Sequence, residues 1–145
     1  MSETGLGIDR CNCAALRRAS RRITQFYDGK LAATGLRITQ YAILSLLARR
    51  GELAVNELAA HMELDRTTTG KNLRPLERSG LLKIAPSATD RRSRKVKLTP
   101  KGTATFKAAL PRWQEAQREF ETANGREAAE TMRTMLAQIA TGPAA

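Results

Sequence analysis

Apolar residues recur at helical spacing along most of the chain and predict six helices. Thr39, Asp65 and Thr99 stand where side chains cap helix N-termini, and Pro100 follows at a position where its missing N–H costs nothing. The predicted helices span about residues 10–33, 39–50, 55–62, 66–78, 100–123 and 126–140. This pattern is typical of a mainly α-helical domain.

The period changes to two between the fourth and fifth predicted helices. Leu81, Leu82 and Ile84 form a short apolar run, and apolar and polar residues alternate from Val96 to Leu98. The polar, turn-rich segment 86–94 between them predicts a β-hairpin with a long basic tip. Two short helices joined by a tight turn and followed by a hairpin form a winged helix-turn-helix. The expected fold class is therefore mainly α with a small β-hairpin wing.

The charge is concentrated in one quarter of the chain. The 145 residues include 25 Lys and Arg against 14 Asp and Glu, a formal net charge of +11. Residues 65–101 hold 11 of the basic residues and three of the acidic ones, a net charge of +8. Such a distribution favours a dedicated anion-binding face over an evenly basic surface.

Several classes of protein are excluded or disfavoured by the same residues. The longest apolar run, Tyr41 to Ala48, is far shorter than the roughly 20 residues of a membrane span. Residues Met1 to Asp9 lack the order of a signal peptide. Cys11 and Cys13 are too close to form a disulfide framework. We therefore expect a cytoplasmic protein with no membrane partner.

The fourth predicted helix occupies the position of a recognition helix. The major groove of B-DNA admits one helix, so a helix held out by its neighbour can place its N-terminal side chains on base edges. Hydroxyl, amide and cationic side chains suit bases and phosphates, and arginine suits a narrow minor groove. The candidate DNA-binding residues are Arg66, Thr67, Thr68, Lys71, Asn72 and Arg74 on the helix and Arg91, Arg92, Arg94 and Lys95 on the wing.

The segment from Asp90 to Gly102 resembles the wing of the MarR family (multiple antibiotic resistance regulators). It matches the family pattern D-x-R-x-x-x-V-x-L-T-x-x-G at every fixed position. The segment from Leu73 to Leu81 is similar to the end of the family's recognition helix. The resemblance implies that Asp90 orients Arg92 through an ion pair and that Arg92 enters the minor groove.

The same resemblance implies a homodimer on double-stranded DNA with three regions. Residues 1–35 would form an N-terminal dimerisation helix, 36–99 the winged helix-turn-helix lobe, and 100–145 the C-terminal dimerisation helices. Family members are usually repressors that a small molecule or an oxidant releases from a pseudo-palindromic operator.

Two candidate triggers stand in the chain. Cys13 resembles the reactive cysteine of the family's organic-hydroperoxide-responsive subgroup, with Cys11 beside it, and Tyr27 resembles a tyrosine that hydrogen-bonds that thiol across the dimer. A second such tyrosine would fall at Ile38, which cannot donate. The alternative is a purely structural role, in which the small cysteines pack at an interface.

The second candidate is an aromatic-effector pocket where the first, second and fifth helices meet. Tyr27, Tyr41 and Trp113 are its candidate residues, and core filling is the competing interpretation for each of them. No catalytic motif occurs, and a metal site including His61 would need ligands from distant segments. We expect that the protein is not an enzyme and that it binds no metal or cofactor. An architectural protein that binds DNA without sequence preference is the alternative from another class.

Overall fold

The computed structural model describes residues 7–142. In that range six helices and three short strands follow one another, with single 3₁₀ turns at Ile8–Arg10 and Ala32–Thr34. The elements are α1 (Asn12–Leu31), α2 (Ile38–Arg50), β1 (Leu53–Ala54), α3 (Val55–Met62), α4 (Arg66–Arg78), β2 (Leu82–Pro86), β3 (Arg94–Leu98), α5 (Pro100–Asn124) and α6 (Arg126–Thr141). The fold class expected from the sequence is confirmed.

The wing is a small antiparallel sheet with the strand order β1-β3-β2. Ile84 of β2 and Leu53 of β1 both pair with Val96, which is fully buried at the centre of β3. Pro86 ends β2, an edge strand, where a residue without an N–H is tolerated. The sheet thus ties the hairpin to the segment between α2 and α3.

The core lies between α2 and the helices around it. Ile43, Leu44 and Leu47 of α2 are buried, as their spacing predicts, and they share one cluster with Leu58 of α3 and Leu73 of α4. Tyr41 stacks on Trp113 of α5 with ring centroids 5.8 Å apart. The helix-turn-helix is therefore built on the same core that receives α5.

Helix starts follow the expected caps at two positions and depart from them at one. Asp65 and Thr99 cap α4 and α5, as the sequence predicts. Thr39 is not a cap, because α2 begins one residue earlier, at Ile38. The Asp28 carboxylate accepts from the Ile38 N–H at 2.8 Å, and the Gln40 side chain accepts from the Arg37 N–H at 3.0 Å. A tertiary contact therefore fixes this helix start.

Proline in the recognition helix does not end it. Pro75 lacks the N–H that would bond to the carbonyl four residues back, which predicts either a kink or an early end to the base-reading part. The helix α4 continues through Pro75 to Arg78, so the early end is wrong. Leu76, next to the proline, is buried and holds this last turn against the core.

The end of α4, the base of the wing and the start of α5 form one joint. The Thr99 hydroxyl donates to the Gly80 carbonyl at 2.6 Å and accepts from the Gly102 N–H at 3.0 Å. Gly102 lies directly on the backbone of Leu81, since a Cβ placed there would overlap the Leu81 carbonyl oxygen. The last residues of the family-like wing pattern, threonine and glycine, therefore have a mechanical role.

Among residues 7–142, no single helix is long and apolar enough to cross a membrane. The segments Asn12–Thr34 and Ile38–Arg50 meet the length and apolarity criteria only as a pair bent by 69°. The apolar side chains of α2 fill the core described above.

Candidate nucleic-acid interface

Helix α4 has one buried face and one exposed, basic face. Thr69, Leu73 and Leu76 are buried at helical spacing, and the Thr69 hydroxyl donates to the Asp65 carbonyl at 2.7 Å. The exposed positions of the opposite face recur at the same spacing and carry Thr67, Lys71, Arg74 and Arg78. Core packing thus fixes the rotation of the helix and sends a polar, cationic stripe into solvent.

The first turn of α4 is fixed by its N-cap. The Asp65 carboxylate accepts from the Thr68 N–H at 2.7 Å. This hydrogen bond lowers the pKa of the Asp65 carboxyl below its ordinary value, with a smaller lowering from the Thr68 hydroxyl. The cap holds Thr67 and Thr68 at the start of the helix, where a recognition helix meets base edges.

The tip of the wing is ordered by its own hydrogen bonds. The Asp90 carboxylate accepts from the Arg92 N–H at 3.0 Å, and the Ser93 N–H donates to the Asp90 carbonyl at 3.1 Å. The ion pair implied between Asp90 and the Arg92 side chain is not found among the described residues. Asp90 shapes the loop backbone instead, and this leaves the exposed Arg92 guanidinium available to a ligand.

Most predicted DNA-binding side chains are solvent-accessible. Thr68, Asn72 and Lys95 are half-buried, and the Lys95 ammonium lies 3.9 Å from the Glu57 carboxylate of α3. Arg78, which the sequence did not single out, continues the spacing of Lys71 and Arg74 and is also exposed. The remaining predicted residues are all exposed, namely Arg66, Thr67, Lys71, Arg74, Asp90, Arg91, Arg92 and Arg94.

The two cysteines are free thiols at the start of α1. Cys11 is the N-cap, and its Sγ accepts from the Ala14 N–H at 3.5 Å, while Cys13 is exposed in the first turn. Tyr27 lies 14 residues further along the same helix, a rise of about 21 Å, so the two side chains do not meet within one subunit.

Tyr27 has a partner inside its own subunit. Its hydroxyl donates to the Gln117 amide oxygen of α5. Burial raises the pKa of the Tyr27 phenol, and the nearby Glu121 carboxylate raises it further. The side chain thus belongs to the contact between α1 and α5.

A cavity of about 350 Å³ lies between α2, α3 and α5. The stacked pair Tyr41 and Trp113 lines it, together with Arg49, Arg50 and His61. Tyr27 is not part of the lining, so the structure brings together two of the three predicted pocket residues. The adjacent arginines at the end of α2 were the available sequence signal for the polar side of the cavity.

Comparisons with known proteins agree on one family. The profile described as MarR family matches residues 34–93. A putative transcriptional regulatory protein for the hcr operon of Thauera aromatica is 32% identical over 100 residues, which cover 69% of this chain. The chain spans 56% of the length of that relative.

Two solved structures extend the similarity to nearly the whole chain. The M. tuberculosis transcriptional regulator MosR, crystallised with DNA, is 33% identical, with a TM-score of 0.82 over 90% of this chain and 93% of that one. The transcriptional repressor CouR, bound to a 23-mer DNA duplex, is 28% identical with a TM-score of 0.82, over 91% and 94% of the two chains. The chain belongs to the MarR family of winged-helix transcriptional regulators.

Proposed function

We propose that the protein is a homodimeric repressor that binds a pseudo-palindromic operator in double-stranded DNA. The observation that carries the proposal is the exposed polar and cationic stripe on α4, next to a wing whose arginines are exposed on an ordered loop. Arg66, Thr67 and Thr68 would read bases, and Lys71, Arg74, Lys95 and Lys97 would hold phosphates. The two recognition helices would lie about 34 Å apart, one turn of DNA.

The test begins with a duplex selected by the wild-type protein from a random-sequence library. The variant Arg92→Ala should weaken binding to that duplex by at least about 1 kcal/mol, the scale of one good groove contact. Lys107→Ala, which removes an exposed cation of α5 outside the lobe, is the matched control. Unchanged affinity of Arg92→Ala would remove the minor-groove role of the wing.

The architectural alternative makes a different prediction about competitor DNA. A specific repressor should prefer its selected duplex over random DNA by about 10³-fold or more. An architectural protein would show little preference, although both would lose affinity steeply as salt rises, because both neutralise phosphates. Equal competition by the two duplexes would therefore favour the architectural function.

The dimer proposal is supported by an apolar stripe that nothing covers in the described subunit. Met132, Met135, Leu136 and Ile139 recur at helical spacing on α6, and each is 39–57% exposed. Leu16 of α1 is 42% exposed as well. A second copy that buries these side chains would assign 1–35 and 100–145 to dimerisation and 36–99 to DNA binding. Residues 1–6 and 143–145 lie outside the described range.

The cavity between α2, α3 and α5 supports release by a small aromatic ligand. The Tyr41 and Trp113 rings offer a stacking surface, and Arg49 and Arg50 offer cations for an acidic group. A ligand there would touch α3, which supports the recognition helix, and α5, which leads to the proposed dimer interface.

Trp113 is the chain's one tryptophan, so its fluorescence reports binding in this cavity directly. Benzoate should quench it and weaken binding to the selected duplex, whereas cyclohexanecarboxylate should act much less, because it lacks an aromatic ring. A response to neither compound would argue against an aromatic acid as the effector.

Oxidant release through Cys13 is the second candidate, favoured by the exposure of this thiol. A hydroperoxide should release DNA from the wild-type protein and from Cys11→Ser, but not from Cys13→Ser. The distance from Cys13 to Tyr27 along α1 means that any contact between them comes from the second subunit. Identical behaviour of all three proteins would exclude the thiol switch.

A further inference from the structure

Three acidic residues interrupt the basic segment 65–101, and all three accept backbone N–H groups. Asp65 and Asp90 do so within the first turn of α4 and within the wing loop, respectively. Glu77 differs, because its bond joins two separate elements. Among the described residues, none of the three carboxylates lies within 4.0 Å of a Lys or Arg nitrogen.

The Glu77 bond connects the recognition helix to the wing. Glu77 lies in the last turn of α4, and its Oε2 accepts from the Ile84 N–H of β2 at 3.1 Å. Because β2 is an edge strand that pairs only with β3, this N–H would otherwise face solvent at the open edge of the sheet. The carboxylate thus fastens the outer edge of the wing to α4.

Electrostatics alone predicts that the Glu77 carboxylate weakens DNA binding. A carboxylate on a helix that approaches phosphates repels them, so removal of its charge should strengthen binding. Ile84 is the middle residue of β2, whereas Arg92 lies in the loop beyond the end of that strand. A small change in the tilt of the hairpin against α4 would therefore move the Arg92 guanidinium further than it moves Ile84.

We propose that Glu77 is a positioning residue that sets the angle between the wing and the recognition helix. It does so through its hydrogen bond to Ile84, so that Arg92 and the α4 stripe engage DNA together. This inference rests on the proposed wing contact with DNA. On this proposal the length of the Glu77 side chain matters and its charge does not, and substitutions can separate these two properties.

The experiment compares Glu77→Asp with Glu77→Gln. The aspartate keeps the charge but withdraws the oxygens by one methylene, whereas the glutamine keeps an acceptor oxygen at the same reach and loses the charge. Glu52→Gln, which removes an exposed charge elsewhere in the same lobe, is the control for charge. Affinities are measured for the selected duplex and for random DNA of the same length.

We expect Glu77→Asp to lower the ratio of selected to random affinity by about tenfold, within the range of one lost groove contact. Glu77→Gln should keep the wild-type ratio, and both Gln variants should bind random DNA as well as or better than wild type. The Ile84 amide should exchange hydrogen faster in Glu77→Asp than in Glu77→Gln, while the other strand amides stay protected.

Two results would overturn the inference. One is an unchanged ratio in Glu77→Asp with tighter binding in Glu77→Gln, which would make the effect one of charge. The other is global unfolding of Glu77→Asp, which would assign the residue to stability. The double variant Glu77→Asp, Arg92→Ala should bind no more weakly than Arg92→Ala alone. A neutral Arg92→Ala would instead sink the proposed wing contact itself.

Discussion

Gly102, in the joint between the wing and α5, has no room for a side chain. It sits in the first turn of α5, and the nearest atoms to a Cβ there belong to the Leu81 backbone, with the carbonyl carbon at 2.9 Å. Backbone cannot rotate away as a side chain can. The glycine of the family-like wing pattern is thus explained by close approach of two backbones rather than by an unusual φ angle.

Replacement of Gly102 by a residue even as small as alanine should destabilise the protein. Gly102→Ala should lower the free energy of unfolding by about 1–3 kcal/mol, because the methyl group overlaps the Leu81 carbonyl. Gly29→Ala is the control: it lies inside α1 with nothing within 4 Å, and it should stabilise by about 0.5–1 kcal/mol. Urea unfolding of both variants measures the contrast, and equal values would contradict the overlap.

The Asp65 cap should make stability depend on acid pH. Its hydrogen bond to the Thr68 N–H lowers the folded-state pKa of the carboxyl, so the stabilisation is complete above the ordinary pKa of about 3.8. It is lost as the pH falls through the lower folded-state value. Asp65→Asn keeps a capping oxygen without the titration. Between about pH 5 and pH 2, the wild-type melting temperature should therefore fall further than that of the variant, whereas parallel curves would contradict this origin.

At the scale of elements, the helix α5 depends on a contact outside itself. Thr99 caps α5 and also binds the Gly80 carbonyl at the end of α4. The Lys101 ammonium binds the neighbouring Ser79 carbonyl at 2.9 Å. The carbonyls of the two residues that follow the recognition helix, Ser79 and Gly80, are therefore bonded by the N-terminal residues of α5. The two helices and the wing base should for this reason move as one body.

Loss of the Thr99 hydroxyl should weaken this joint. Thr99→Ala should lower the free energy of unfolding by about 1–2 kcal/mol, because it removes an N-cap and one interhelix hydrogen bond together. Thr99→Ser keeps the hydroxyl and should stay within about 0.5 kcal/mol of wild type. The two variants are compared by urea unfolding, and a loss of the same size in both would assign the effect to the methyl group.

The whole molecule presents an apolar stripe on α6 that a single subunit leaves exposed. Ile139 is 56% exposed in that stripe, whereas Thr134 lies on the other side of the same helix. Water contact with several large apolar side chains is unfavourable, and a second copy of the helix offers matching surface. The proposed dimer thus follows from the same periodicity that predicts the helix.

A charge within the stripe should dissociate the dimer. Ile139→Glu should sediment as a monomer at concentrations where wild type is a dimer, because a buried carboxylate without a partner is costly. Thr134→Glu adds the same charge on the opposite side of α6 and should leave the dimer intact. Sedimentation velocity distinguishes the two states, and dimeric Ile139→Glu would place the interface elsewhere.

The sequence by itself determined the helices, the hairpin, the family and the caps at Asp65 and Thr99. Each of these depends on residues within a few positions of one another, so spacing and local chemistry suffice to predict them. It also singled out Thr67, Lys71 and Arg74 of α4, which lie on the exposed face of that helix.

Only the tertiary structure decided which distant residues meet. Tyr27 bonds to Gln117, which is 90 positions away, and so lies outside the cavity where the sequence placed it. The Asp28 carboxylate accepts from the Ile38 N–H and so fixes the start of α2 before Thr39. The Asp90 carboxylate accepts from the Arg92 N–H instead of pairing with the Arg92 guanidinium. These contacts depend on how the elements pack. Hydrophobic periodicity indicates which face of each element is buried, but it does not indicate which face of another element packs against it.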